Sequence, residues 1–434
     1  MMKRIKRIMI SIGCIVLLMT SWLIAVNAKS NEEKQAALME EAALLMKDGI
    51  YIRAVPLLEE AAGYRTQHTI TAEAELKKAY LALINTRGYR GKYIGLLELQ
   101  LSRIDAGPEI YAEAAGYYLS IRRTREALGI LRDGITKTGC AELTELYENH
   151  RYAYETKRTG FDYAAELYNG TAQVQTDGLW GIAYANGTPM IPCLYEQIST
   201  FSGDRAIVRK SGEIYAVDSN NNRVAKLNEN AAGFGNFSEN RFPLRSHDGW
   251  RRATGEFEIG TAVFEDFGMY SGGYAAAKIN GRWGVIDIAS DWLVPAEYDG
   301  IICDELGRCF AQRAVFARLE DKVFLFINGS RTDEVYENAR PFSAENYAAV
   351  KKNGKWGFIN ADGSTVIDFI YDDALSFGQH LAAVRIDDCW GYISVCGRIA
   401  IEPRFLEAKS FSNGSAPVLT ERGWEFITLV EYKK

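Results

Sequence analysis

Histidine is scarce in this chain. Four are scattered over 434 residues, at His68, His150, His247 and His380. No CxxC pair occurs, so no zinc-ligand spacing is visible and no metal is expected. Also missing are HExxH, G-x-S-x-G, a Walker phosphate loop and a dinucleotide fingerprint. "GFGNF" at 233–237 is Gly-rich, but no helix pattern follows it, and it reads as a turn. No cofactor is expected. Basic surface is lacking too. The net charge is −6, and the first 29 residues hold five Lys or Arg and no acid, which leaves the rest more acidic still. A nucleic-acid surface needs a basic stripe, so that partner class is excluded. The composition is 47% hydrophobic and 12% aromatic, enough for two domains with cores and unlike a disordered chain.

The N-terminus carries the clearest single signal. "MMKRIKR" precedes an uncharged, mostly apolar run from Ile8 to Val26. Its length suits a membrane-spanning anchor, and the small residues around Val26-Asn27-Ala28 also suit a secretory signal cleaved after Ala28. Basic residues ahead of the run place the N-terminus in the cytoplasm. Both readings put residues 30–434 on the outer side of a membrane, and residues 1–29 form the anchor or signal. Such a compartment permits disulfides. Cys303 and Cys309 bracket what reads as an inserted surface loop, "CDELGRC"; a bridge between them is one reading, two unpaired small apolar side chains the other.

From 31 to about 157 the chain is rich in Ala, Leu, Glu and Lys, with apolar residues three and four apart. Two stretches, Gly49, Tyr51, Ala54, Leu58, Ala61 and Tyr111, Ala114, Ala115, Tyr118, Ala127, Leu131, Gly134, resemble the tetratricopeptide (TPR) repeat, whose small residues let paired helices approach closely. The segment between them is helical in pattern but matches poorly, and "IDAGPE" breaks it from the next hairpin. Three hairpins and a trailing helix are expected. The resemblance implies a groove for peptide segments; a spacer is the alternative.

From 161 to 434 the chain repeats itself. "YAAAKINGRWGVIDIASDWLVPAEYDGI", "YAAVKKNGKWGFINADGSTVIDFIYDDA", "LAAVRIDDCWGYISVCGRIAIEPRFLEA" and "TAQVQTDGLWGIAYANGTPMIPCLYEQI" align directly. The Trp position recurs at Trp180, Ile214, Trp250, Trp283, Val323, Trp356, Trp390 and Trp424, at spacings of 33 to 36 residues save one of 40 that holds the Cys303–Cys309 loop. Each unit reads as short strands joined by tight turns such as Asn353-Gly354. Pro192, Pro295 and Pro403 occupy a shared point where a strand breaks or lies at an edge. In Trp356-Gly357-Phe358-Ile359 both strand faces are apolar, so each sheet needs a cover on both sides, as blades in a ring have and a two-layer sandwich lacks. The last unit stops before any equivalent of Tyr371–Phe377, while "FDYAAELYNG" at 161–170 aligns with that segment. Supplying it across the join closes a β-propeller of about eight small blades. An open β-solenoid is the alternative.

Asn-Gly-x-Trp-Gly, then a Gly, an Ile/Val-x-Pro region and a Tyr/Phe-x-x-Ala-x-x-Phe tail, resembles the WG-repeat family of bacterial proteins. The match spans about 161–434. It is strong at Trp180-Gly181, Trp283-Gly284, Trp356-Gly357 and Trp390-Gly391 and degenerate at the other four units. The resemblance implies non-catalytic, often surface-associated interaction modules. On this reading the Trp-Gly pair is a packing device, with Gly357 leaving room for a neighbouring blade and Trp356 filling the gap on its own side. The acidic pairs Asp372-Asp373, Glu297/Asp299 and Asp387-Asp388 recur at repeat positions and mark turns and strand ends rather than glycosidase carboxylates. The acceptor sequons at Asn169, Asn186, Asn236, Asn328 and Asn413 mostly coincide with Asn-Gly turns. Tyr117, Tyr118 and "YENHRYAYE" (147–155) suit packing at the domain junction. The expected function is membrane-tethered, extracytoplasmic, non-enzymatic binding of protein or peptide partners; a glycan- or small-ligand-binding propeller is the alternative, and a cryptic hydrolase ranks last.

Overall fold

The computed structural model describes residues 27–64, 66–227, 231–311 and 313–431. The apolar run Ile8–Val26, on which the membrane reading rests, lies outside the described residues. Among those described, no helix is long and apolar enough to cross a membrane. The chain divides into two units, Met1–Tyr147 and Glu148–Lys434.

The first unit is built of paired helices. Helix α1 (27–47) turns at Gly49, whose φ of 76° favours glycine, into α2 (Tyr51–Gly63). Ala42, Ala54, Leu58 and Ala61 are buried there, and the buried Gln35 Nε2 donates to the Ala61 carbonyl at 2.8 Å. Helices α3 (Thr69–Ala82) and α4 (Tyr89–Leu101) form a second hairpin through Leu76, Ala79, Tyr80, Tyr93 and Leu97. Helices α5 (Pro108–Ser120) and α6 (Thr124–Thr138) form a third, and α7 (Ala141–His150) trails. A Cβ on Gly134 would lie 2.7 Å from Tyr111 Cγ and 2.8 Å from Leu143 Cδ1, so the small residue sets how closely α6 packs. The three hairpins and the trailing helix are those the sequence periodicity predicts. The poorly matching middle segment is a full hairpin because apolar spacing, not the repeat signature, is what pairs helices.

The second unit is an eight-bladed β-propeller. Blade 1 shows the plan: a two-residue inner strand, Tyr163–Ala164, then Thr171–Thr176, Leu179–Tyr184 and the outer strand Pro189–Tyr195, antiparallel in sequence order. Blades 2 to 8 begin at Gln197, Gly233, Asp266, Gly300, Asn338, Asp373 and Glu407. In blade 3 the isolated bridges Trp250–Phe264 and Ala253–Ile259 stand in for the outer strand. Outside blade 3, both faces of the central strands are buried, as the apolar alternation requires. Phe358 packs with Ala382, Val384 and Ile393 of blade 7, while Ile359 packs with Ala314, Phe316 and Leu325 of blade 5.

The ring closes one strand earlier than the alignment of 161–170 implies. Blade 8 consists of Glu407–Ala408, Ser415–Thr420 and Gly423–Leu429, and its outer strand is Tyr154–Arg158. The register is Tyr154↔Leu429 through Arg158↔Glu425. Residues 161–170 do not close the ring: Tyr163 and Ala164 pair with Gln175 and Val174 inside blade 1. The last unit lacks an outer strand, and the segment next to hand in the chain is 154–158, so the propeller starts before 161.

Trp-Gly has a geometric cause within the blade. Trp356 pairs with Tyr371 and Phe358 with Ile367, so Asp368, Phe369 and Ile370 all stand opposite Gly357. This bulge folds the outer strand's backbone onto the glycine. A Cβ would meet the outer strand's carbonyl oxygen at 2.5 Å on Gly181, 2.6 Å on Gly391 and 2.7 Å on Gly357, and closer still on Gly284. The same three-to-one register recurs opposite Gly181, Gly284 and Gly391. In three of the four units where another residue replaces the glycine, that residue pairs in plain register: Tyr215↔Lys226, Phe324↔Val335, Glu425↔Arg158; blade 3, where isolated bridges stand in for the outer strand, is the exception. The glycine therefore makes room for its own blade's outer strand, not for a neighbouring blade. Pro192 and Pro295 are the first of the three bulge residues and Pro403 the second, one position apart rather than shared.

The recurring acids also have a local cause. The carboxylates of Asp162, Glu196, Asp299 and Asp372 accept the turn N–H groups of Asp177, Ser211, Glu320 and Asp387, at 2.7, 2.7, 2.7 and 3.3 Å. Glu265 and Glu337 do the same for Gly281 and Gly354. These turns hold residues such as Asn353, at φ 53°, in the left-handed region.

A plugged propeller channel as candidate functional site

The tails that follow the inner strands line the channel. They end on a tier of large apolar side chains, Leu167, Phe237, Tyr270, Phe310, Phe342, Phe377 and Phe411, all buried between blades. Hydroxyls of adjacent tails tie the blades together: Thr200 Oγ1 donates to the Phe237 carbonyl at 2.6 Å, Ser238 Oγ to that of Tyr270 at 2.7 Å, and Ser271 Oγ to that of Phe310 at 2.8 Å.

In blade 5 this tail is longer. Ile302 N donates to Phe316 O just as Leu375 N donates to Ala383 O in blade 7. Ile302 and Phe310 thus hold standard tail positions, and the extra residues are Cys303–Arg308. They do not form a surface loop, because a lengthened tail points into the channel. Asp304 organises the turn: its Oδ1 accepts the N–H groups of Leu306 and Arg308 at 3.0 and 2.9 Å, and its Oδ2 accepts Arg308 Nε at 2.5 Å.

From there the plug reaches four other blades. The Glu305 carboxylate accepts the Glu166 N–H of blade 1 at 3.1 Å and pairs with Lys409 Nζ of blade 8 at 3.1 Å. Arg308 Nη2 pairs with Glu166 at 3.3 Å. The Leu306 carbonyl accepts Asn236 Nδ2 of blade 3 at 2.9 Å, and the Gly307 carbonyl accepts Met269 N–H of blade 4 at 3.2 Å. "GFGNF" is consequently the inner strand and tail of blade 3, and Asn236 is a plug anchor rather than a turn residue.

The plug separates two cavities. The larger, about 1090 Å³, is lined mainly by blades 5 to 8, with Glu166 of blade 1 and Ser271 of blade 4 also in its wall. The smaller, about 360 Å³, lies against blades 1 to 3, with Trp180 and Gln173 in its wall and Glu305 and Leu306 as its cover. Burial raises the Glu166 carboxyl, and Asp304 pushes it further, against Arg308 and Lys409, to about 7. Lys409 Nζ also lies 5.3 Å from the Tyr163 ring centre and 5.4 Å from that of Trp424.

The Trp-Gly residues do not converge on one site. Trp356 is 4% exposed, with the Arg340 guanidinium 5.0 Å from its ring centre. Trp180 and Trp390 line the two different cavities, and Trp283 packs with Tyr298 and Val294 in its own blade. Cys303 and Cys309 are free thiols at the neck of the plug, in one apolar cluster. The hydrogen bond with Cys309, and then burial, hold the Cys303 thiol well above the ordinary range. Tyr118 is buried in the helical unit, and Tyr152 and Tyr154 pack in the cluster of blades 7 and 8. Charged residues Glu166, Arg308 and Lys409 were absent from the sequence-based candidates; counting the extra residues from the tail position was the one available signal.

An eight-bladed propeller with a plugged channel, made of Trp-Gly units, defines the class of protein. The chain carries repeats of the WG containing repeat family, matched at 185–213, 261–283, 335–356, 356–388 and 390–424. No curated protein sequence matches it. Among solved structures, PorZ, an essential bacterial surface component of the type-IX secretion system of Porphyromonas gingivalis, is similar at 14% identity and a TM-score of 0.35. That match covers 61% of this chain and 42% of PorZ, so the chain spans less than half of its length. A structure of the eukaryotic initiation factor is similar at 9% identity and a TM-score of 0.40, covering 63% and 87%. YCF48 bound to D1 peptide is similar at 12% identity and 0.32, covering 62% and 100%. These values attach none of those proteins' functions to this chain.

Proposed function

We propose that this protein is a non-catalytic interaction module, tethered by its N-terminal apolar run with residues 30–434 on the outer side of the membrane, and that it binds a protein or peptide partner. The observation that carries this reading is the larger channel cavity. At about 1090 Å³ it exceeds the usual volume of a drug-sized ligand's site, and its wall draws on six of the eight blades. Its wall mixes charged and small polar groups, such as Arg340, Lys409 and Ser376, with apolar ones such as Phe342 and Leu375. Such a wall suits an extended segment that needs backbone partners along its length. The TPR-like hairpins supply a second peptide-binding surface on this reading.

Photo-crosslinking residues placed at Ala344 and Leu406, both in the cavity wall, test it on cells. Capture of the same protein partner from both positions is the expected result. A partner captured from Ile104, a fully exposed control in the helical unit, but from neither cavity position would contradict the channel reading. The half-buried Trp390 in the cavity wall favours a glycan as the second reading, since an accessible indole face stacks on a sugar ring; binding to isolated envelope glycan that is lost in Trp390→Ala would select it.

A further inference from the structure

We infer that Cys303 and Cys309 are a disulfide-forming pair whose bridge closes the neck of the channel plug. The plug is the six-residue lengthening of one repeat, and the two thiols stand where it leaves and rejoins the standard tail. Both lie in one apolar cluster with Val285, Val294 and Phe310. Cys140 and Cys193 sit in different clusters. Access is graded in the order that exchange needs: Cys303 lines the larger cavity, whereas Cys309 is fully buried.

The reaction requires a disulfide donor, for which oxidised glutathione serves as the probe. The Cys303 thiolate attacks one donor sulfur, the donor S–S bond breaks, and one glutathione thiolate leaves. The Cys309 thiolate then attacks the Cys303 sulfur of the mixed disulfide and releases the second glutathione. The two cysteines lose two electrons and two protons, and the donor gains both pairs as two thiols. The bridge closes a ring of residues 303–309 around the Asp304 turn. It holds Glu305 and Arg308 toward Lys409 and Glu166 by covalent constraint, where the reduced plug depends on ion pairs and hydrogen bonds. Because hydrogen bonding and burial keep the Cys303 thiol protonated near neutrality, oxidation is slow at pH 7 and is best driven in mild alkali.

The test is made on the purified wild-type protein, oxidised with glutathione disulfide in mild alkali or held reduced. Trypsin cuts after Arg308 and so separates the two cysteines. The expected product is a Cys303 peptide linked to a Cys309 peptide that parts on reduction. The oxidised protein should melt roughly 5 °C higher than the reduced one, as a short closed loop implies, and Cys303→Ser should show no such difference. Full alkylation of both thiols after oxidation, a bridge from either to another cysteine, or an unmoved melting temperature in the bridged protein would each overturn the inference. The oxidised and reduced wild type decide the matter even where the serine variant does not fold.

Discussion

At the residue scale, the Trp-Gly pair is explained by two separate contacts. Trp356 is buried against Tyr371 and below Arg340, so Trp356→Ala should destabilise the propeller by about 3–5 kcal/mol. Gly357 lies beneath a backbone carbonyl that cannot swing aside like a side chain. Gly357→Ala should therefore cost about 1–3 kcal/mol, although it adds one methyl group. Thermal or urea unfolding of both variants measures this; an alanine at 357 that leaves stability unchanged would remove the bulge explanation. The sequence showed that glycine followed tryptophan in four units, but not why. A bulge is a statement about register with a strand ten residues away, and no residue type announces it. The proline positions were its nearest sign, since a bulge leaves N–H groups outside the ladder.

At the scale of elements, hairpins and helical pairs were legible because their signals are local: Asn-Gly turns, period-two strands, small residues three and four apart. The plug was not. Its length was visible as the one long repeat, yet its destination depends on where in the blade the lengthening occurs. Its partners, Glu166, Asn236, Met269 and Lys409, come from four other repeats, only one of them adjacent. Glu166 gives the plug a pH dependence. With its folded pKa raised to about 7 above an unfolded value of about 4.3, the folded state binds the extra proton between these limits. Stability should thus fall as pH rises from about 4.5 to 7, and Glu166→Gln should flatten that slope. Melting temperatures across this range check it; an identical slope in the variant would place the titration elsewhere. Separately, Lys409→Met should remove the Glu305 carboxylate's cationic partner and speed amide exchange across 303–309.

At the scale of the whole molecule, repeat spacing gave eight blades and the apolar faces gave a ring, but the seam was misplaced. Tyr154–Arg158 reads "YETKR", and four of its five residues are exposed. An outer strand at a seam has little to bury, so it carries no hydrophobic alternation and looks like linker. Its role follows from what blade 8 lacks. A ring latched between its first and last strands holds both chain ends of the propeller in one sheet and removes the free edge along Gly423–Leu429. Every feature assigned to the channel, from the plug to the two cavities, presupposes that latch. Cysteines at Glu155 and Thr428, which face each other in the register, test it directly. Mild oxidation of the Glu155→Cys, Thr428→Cys protein should yield that cross-link quantitatively with the melting temperature kept or raised. Absence of the 155–428 cross-link in the folded protein would contradict the closed ring.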